Sequence, residues 1–560
     1  MDDFAHSGDS ERAEAEVSAL DLEVAIVGGG VAGSYCAWRL SCDDPKRRVG
    51  LFELSSRIGG RLFSRKLPGM PHVVAELGGM RYIPAVQRLI GGVIDHLGLE
   101  SRPFLRGVDN PDGDGNNLFF LRRKHMRMRD LADDAGERYH MEWHERGKTP
   151  DEILEYMTKT YIPDGEGMGI AEQAERMVFG QPLYSHGFWN LLYRVLSSEA
   201  YAYVRDAGGY DTSVANGNAA SSLQVDQFHD GVRYRTLVGG MDQLPRSLAA
   251  GFAETTQREQ GRESLFTGHR LLRFERAPEG APRRYRLLFA CEGRDEPRVV
   301  YADRLILAMP RRGLELLDQS NFFFSHPWVQ VHLRSVIKQA AFKLFLGYDR
   351  PWWRGLGLVA GHSVTDLPVR QTFYFSTEGE EEGADPRNSN SLLMASYGDD
   401  ASAAFWKAFE GGAPFTGEAN PFLGEDEASL DARDAGQVTE SMVGAIQGLL
   451  RQVHGLREIP KPYTAAFQDW GTDPHGAAWH AWKAGFRYWE VMRRMRKPLD
   501  PSWSTADTIC PDEQVYICGE AYSNVQSWVE GALQTAEHVL CDHFGLGRPS
   551  WLDEDYELGP

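Results

Sequence analysis

Cysteine is scarce in this chain. Its 560 residues hold six, Cys36, Cys42, Cys291, Cys510, Cys518 and Cys541, with no C-x-x-C pair and no zinc spacing. That excludes a disulfide-dense scaffold and a structural zinc site, and leaves reduced thiols with a packing role. Long apolar runs are missing as well: no window approaches the ~18 uninterrupted apolar residues of a spanning helix, so no membrane insertion is expected. The opening residues, MDDFAHSGDSERAEAE, lack the basic and apolar regions of a secretory leader, and a cytoplasmic protein is the expectation. Positive charge is in deficit, 60 Lys plus Arg against 80 Asp plus Glu for a net −20. Such a field repels phosphate backbones and argues against a nucleic-acid partner. No repeat of fixed period occurs. What is present is globular, 42% apolar and 25% charged with 59 Gly and 28 Pro, and the length supplies about three to five domains' worth of chain.

Residues 1–20 are acidic, poor in aromatics and unpatterned, and read as a disordered arm. From Leu22, LEVAIVGGG is a buried strand ending in glycines. SYCAWRL follows as a helix, and RRVGLFEL as a second strand ending at Glu53, the start of a doubly wound sheet. Gly28, Gly30 and Gly33 fit G-x-G-x-x-G between strand and helix, where backbone amides and the positive helix end can approach a pyrophosphate. Glu53, twenty residues beyond Gly33, suits the two ribose hydroxyls of an adenosine and disfavours a 2′-phosphate, so FAD or NAD fits better than NADP. Residues 130–230 are rich in helix formers and aromatics, including Phe188, Trp189, Tyr193, Tyr201 and Tyr203, and read as a helical insertion. RYRLLFA, DRLILAMP, FKLFLGY and QTFYF read as strands, the last two in a second sheet. STEGEEEGADPRN and FLGEDEASLDARDAG look like solvated loops.

Four residues past Glu53 comes RIGGR, residues 57–61. R-x-G-G-R after the ribose acid resembles the flavin amine oxidase family, which includes monoamine, polyamine and L-amino-acid oxidases. The glycines let backbone pass close to a cofactor, and Arg57 and Arg61 can neutralise a diphosphate. Further matches follow in family order. LVGGMDQLP, 237–245, resembles a second glycine turn. Leu271 in HRLLRF would contact the adenine through its backbone. Gly519 and Glu520 in CGEAY resemble the terminal flavin motif, and Trp528 and Val529 in SWVEGA open a last helix whose N-terminus would favour negative charge on the flavin pyrimidine.

The resemblance implies an α/β (α+β overall) chain: a Rossmann-type FAD-binding domain (21–85, 236–320, 505–545), a mixed-sheet substrate-binding domain (86–130, 321–504) and a helical domain (131–235). Within the family, ELGGMRYIP points to the L-amino-acid oxidase branch. Gly78, Gly79 and Met80 form the turn expected against the isoalloxazine ring, and Arg81 would hold a substrate carboxylate as a planar fork. TDLPVRQTFYF, 365–375, resembles the segment whose tyrosine shares that carboxylate, here Tyr374, with Phe373 facing the other side of the strand. For the lysine near the flavin, Lys343 keeps the family spacing to Trp353, while Lys338 in SVIK lies five residues too early. Trp479, His480 and Trp482 stand where the family builds an aromatic wall. Ala477 and Ala478 occupy the stretch of a flavin-linking cysteine, so FAD is expected to be non-covalent. Trp528 would flank the substrate, and Ser527 departs from the glycine seen in many amino-acid oxidases.

The implied reaction is FAD-dependent oxidative deamination of a free L-amino acid by O2 to the 2-oxo acid, ammonia and hydrogen peroxide, in a homodimer of the family-typical kind. Three alternatives share the motifs. A flavin amino-acid monooxygenase gives an amide and CO2, a polyamine or monoamine oxidase makes Arg81 structural, and a non-catalytic FAD-binding module calls for DNA- or histone-binding segments that this acidic chain does not show.

Overall fold

The computed structural model describes residues 20–105, 116–163, 167–223, 232–423, 436–506 and 509–559. The acidic arm and most of the 422–436 loop lie outside the described residues. The first strand, Leu20–Val27, pairs in parallel with Val49–Phe52 on one side and with Arg298–Leu307 on the other. Val49–Phe52 is buried at every position, as expected of parallel strands covered on both faces, so its sequence shows no alternation. Leu265–Phe266 adds a parallel strand at one edge. Across the sheet, Arg298–Leu307 pairs antiparallel with Tyr285–Cys291 at one end and parallel with Val515–Ile517 at the other, and His269–Arg276 closes the edge. Three distant stretches of chain thus share one seven-stranded mixed sheet. Helices Gln243–Gln260 and Val529–Phe544 pack on the helix Val31–Asp43, burying Tyr35, Leu40, Leu244, Leu248, Phe252 and Leu533 in one cluster.

The second seven-stranded sheet runs Thr464–Asp469, Ala341–Tyr348, Ser391–Asp399, Gln371–Thr377, His362–Thr365, Leu118–Leu121, Lys124–Arg127. It is antiparallel except where His362–Thr365 meets Leu118–Leu121. Its two faces have different partners. One packs Phe342, Leu344, Trp353, Tyr374 and Trp406 against the helix Glu440–His454. The other packs Phe345, Phe373 and Met394 against Phe63, Met70, Met80 and Phe104, residues that follow the first sheet's strands in sequence. The space between the sheets lies on this second face.

Between residues 131 and 223 the described chain is largely helical. Pro150–Tyr161 starts at a capping box, with Thr149 and Glu152 each accepting the other's backbone N–H, and Ser197 caps Ser198–Ala207. Of the five aromatics noted there, Phe188, Tyr201 and Tyr203 are core, while Trp189 and Tyr193 are exposed. After Ser198–Ala207 the chain turns at Gly209, φ +80°, and runs 209–214 against the second sheet.

Candidate active site

The first strand ends in a turn that only glycine permits. Gly28 has φ +113°, and a Cβ on Gly33 would stand 1.9 Å from the Gly28 carbonyl oxygen. At Gly30 the situation reverses: its Cβ would meet nothing nearer than the Gly60 Cα at 3.8 Å. Gly30 is the N-cap of Val31–Asp43, and neither a capping side chain nor a first-turn acid engages that helix end. Its first amides take no capping side chain, which leaves them for solvent or a ligand. Glu53 braces the turn, one oxygen accepting from Gly29 N at 2.6 Å and the other from Ser55 N and Oγ.

The R-x-G-G-R segment lies directly against this turn. Gly59 N donates to the Gly29 carbonyl at 2.9 Å, and Gly60 has φ +58°. Arg57 donates to the Gly60 and Leu62 carbonyls and stacks 4.2 Å over Phe63, holding the loop. Arg61 reaches the far end of the chain, donating to Glu520 at 2.8 Å and to the Ala478 carbonyl at 2.9 Å. Glu520 is a buried hub. It also accepts from His480 N, His480 Nδ1 and Ser527 N. Burial alone would raise its carboxyl, but Arg61 and the donors outweigh it and hold it well below the usual carboxylate range. Gly519, φ +130°, faces open space too, since its Cβ would approach only the Met309 carbonyl at 3.9 Å. Trp528 caps the helix Val529–Phe544 without a side-chain bond. Leu271 lies in His269–Arg276 beside a β-bulge.

A second cluster is built from the 76–83 segment and the second sheet. Gly78 cannot carry a side chain, because its Cβ would stand 2.2 Å from the Arg61 carbonyl. Lys343 is buried and donates to the Glu76 and Gly78 carbonyls at 3.0 and 2.5 Å. Burial lowers its ammonium toward neutrality, with Glu76 opposing and Arg81 adding to the shift. Glu76 moves the other way, raised by burial against hydrogen bonds from Ser64 and Met241 N. Arg81 lies over three rings, Tyr234 at 4.6 Å, Phe104 at 5.4 Å and Phe373 at 5.9 Å. Its Nη1 is buried with no hydrogen-bond partner among the described residues.

Tyr374 is on the opposite face, which corrects the sequence-based placement. Its hydroxyl lies 2.6 Å from Ser363 Oγ and donates to His454 Nε2 at 2.9 Å, while His454 Nδ1 donates to the Leu450 carbonyl. Every bond of that phenol is used behind the sheet. Phe373 and Tyr374 do face opposite sides, but it is Phe373 that faces Arg81. The sheet residue that puts a tyrosine on the Arg81 side is Tyr397, paired across the sheet with Lys343, whose Nζ sits 4.7 Å over its ring. Burial and Tyr210 raise the Tyr397 phenol well above its ordinary value, so it remains a donor. Sequence reading missed Tyr397 and Tyr210 because strand register alone brings them here. Trp479 meets Tyr210 edge-on at 6.2 Å, and Trp528, Ala478 and Tyr397 each lie partly buried against the cluster of Phe345, Phe373 and Met394. Trp482 is core, donating to the Ser523 carbonyl. Lys338 is partly exposed and paired with Glu315 at 3.1 Å, away from Lys343's position.

The donor set fits a dinucleotide. Two helix ends have no side-chain cap, Gly30 and Gly519 have, their chain neighbours aside, no protein atom nearer than 3.8 Å to an added Cβ, and Arg81 Nη1 and His480 Nε2 are buried with no hydrogen-bond partner among the described residues. No group of three or more metal-ligating side chains occurs among the described residues, and no helix among them is long and apolar enough to cross a membrane.

Fold and site together define a flavin-binding oxidoreductase, and the chain belongs to the flavin containing amine oxidoreductase family, whose model matches residues 31–540. FAD is its cofactor. Aplysianin-A of Aplysia kurodai is 29% identical over 93% of this chain and 90% of its own. Achacin of Lissachatina fulica is 26% identical over 95% of both, and an L-amino-acid oxidase of Mus musculus 25% over 95% of this chain and 73% of its own. A putrescine oxidase structure shares the fold, with TM-score 0.64, 16% identity, and coverage of 94% of this chain and 100% of that one. These sequence relatives are secreted proteins, which overturns the cytoplasmic expectation.

Proposed function

We propose that this enzyme oxidises a free L-amino acid to the 2-oxo acid, ammonium and hydrogen peroxide, with Arg81 gripping the carboxylate. The observation that carries the reading is the buried, unpartnered Arg81 Nη1 in an aromatic cradle beside Lys343 and Tyr397. A guanidinium with no ion-pair partner among the described residues suits an incoming anion, and its planar fork matches two carboxylate oxygens. Tyr397, held protonated, supplies a second donor. Fixing the carboxylate orients Cα–H, and orientation accounts for much of such a rate.

The glycine turn, Arg57, Arg61, Glu520 and the helix end at Val529 would hold FAD, which supplies the two-electron acceptor for the amine and passes those electrons to O2. The amino acid loses two electrons and two protons to become an imino acid, water hydrolyses it to the 2-oxo acid and ammonium, and O2 leaves as H2O2. Lys343 spends two donors on carbonyls and sits near neutrality, so its Nζ can hold or release a proton beside the reacting atoms. FAD is non-covalent in this reading: Ala477 and Ala478 leave no thiol in the stretch, and Cys36 and Cys518 are buried together with their sulfurs 4.0 Å apart. The enzyme is a homodimer, a state supported by the exposed Met177, Phe179, Trp189 and Tyr193 of the helical region; light scattering at twice 62.8 kDa tests it.

Anaerobic mixing with free L-amino acids and their decarboxylated amines tests the whole reading. Bleaching of the flavin absorbance by amino acids and not by their amines is expected; bleaching by amines alone would overturn the role of Arg81. Keto acid with peroxide, rather than amide with CO2, separates oxidase from monooxygenase.

A further inference from the structure

The loop 209–214 belongs to the helical region but is fastened to the second sheet. Gly209 offers its carbonyl to Gln371 Nε2 at 3.1 Å. Asp211 N and Thr212 N donate to the two carboxylate oxygens of Asp399 at 2.8 and 2.9 Å. Arg370 adds a hydrogen bond to the Arg205 carbonyl and an ion pair with Asp211 at 3.6 Å. Asp399 and Gln371 are fully buried, so these are anchors and not chance surface contacts. The residue they deliver is Tyr210. Its ring meets Tyr397 edge-on at 5.4 Å and Trp479 at 6.2 Å. Tyr210, Tyr397, Trp479, Trp528 and Arg81 are all half-buried, whereas most of their neighbours in the strands are buried. Half-buried rings beside the buried Lys343 leave part of their surface for a ligand.

We infer that Tyr210 is a specificity-determining residue, the far wall against which the side chain of a long amino acid lies, and that Asp399 is the positioning residue that holds it there. The inference rests on the amino-acid oxidase reading and names its substrate class: L-amino acids with long side chains, in preference to glycine, alanine and serine. With the carboxylate on Arg81 and Cα near Lys343, a short side chain ends before the ring and a long one packs on it.

The test compares kcat/KM for leucine, phenylalanine, lysine and methionine with that for alanine in the wild-type holoenzyme, Tyr210→Ala, Tyr210→Phe and Asp399→Asn. Tyr210→Ala should lose at least about tenfold more for the preferred long substrate than for alanine, the scale of one or two lost pocket contacts. Tyr210→Phe keeps the ring and should keep the preference. Asp399→Asn touches no substrate; it places an amide NH2 against a loop N–H and should reproduce the loss of preference. Equal losses on long and short substrates in Tyr210→Ala, or an unchanged ranking, would overturn the inference while the oxidase reading stood. A wild-type enzyme inert to every amino acid would sink the oxidase reading first.

Discussion

Gly30→Ala separates what the protein needs from what its ligand needs. The added Cβ would meet only the Gly60 Cα at 3.8 Å, an ordinary contact, and the backbone at φ −76°, ψ −175° is extended and open to alanine. Two effects on stability oppose: alanine is the poorer N-cap, while losing glycine reduces unfolded-state entropy, each by about 0.5–1 kcal/mol. The apo-protein should therefore melt within about 3 °C of wild type. Binding should not be spared. A methyl in the space where a phosphate approaches the helix amides removes a charge-assisted hydrogen bond of about 1.5–3 kcal/mol, or about 10- to 100-fold in Kd. Stripping the flavin, then titrating FAD back by fluorescence quenching beside a melting curve of the apo form, reads both numbers. Wild-type affinity in Gly30→Ala would refute the placement of the pyrophosphate. Gly33→Ala is the contrasting control, because its methyl collides with the protein's own Gly28 carbonyl at 1.9 Å and should damage the fold itself.

Arg81→Met should lower kcat/KM for amino acids by about 10²- to 10⁴-fold, two charge-assisted bonds at about 1.5–3 kcal/mol each, with little change in melting temperature; a loss under tenfold in steady-state assays contradicts the clamp. Lys343→Met should slow the oxygen half-reaction far more than the reductive one in stopped-flow, and equal slowing would reject its assignment. Burial lowers His454 from 6.5 to about 4, so the folded state binds fewer protons than the unfolded one between those values. Up to about 3 kcal/mol of stability, fully present above pH 6.5, is lost as pH falls to 4, and urea unfolding of His454→Gln should show a flatter acid limb. Ser527 holds φ +73° with its side chain exposed, so Ser527→Gly should stabilise by about 1 kcal/mol; no rise in melting temperature would mean that the turn carries no strain.

How far the sequence reached depends on the range of the interaction. The glycine turn, Glu53 and R-x-G-G-R were legible because each is set by backbone conformation within a few residues: Gly28 and Gly60 need positive φ, and Gly33 needs the absence of a Cβ. The turn before Arg81 is local in the same way, since Gly78 admits no side chain. Tyr374 shows where that reasoning stops. Period-two alternation says that Phe373 and Tyr374 face opposite sides, and they do, but which side meets the site is decided by what packs on each face, helix Glu440–His454 on one and the 62–83 segment on the other. That choice is made by segments far from the strand in sequence. Tyr397 depends on the register Lys343↔Tyr397, set across a bulged ladder, and Tyr210 on a carboxylate at 399 catching a loop at 211. No local propensity carries either pairing. The helical aromatics Trp189, Tyr193 and Tyr201 pack on one another, while Tyr210, which meets Tyr397 and Trp479, comes from a glycine-led loop with no pattern to announce it. A double-mutant cycle between Tyr210→Ala and Asp399→Asn puts this argument in one number. If the latch acts only through the ring it positions, the second substitution adds less than about 0.5 kcal/mol to the first in transition-state discrimination; full additivity would mean that Asp399 acts on the site by another route.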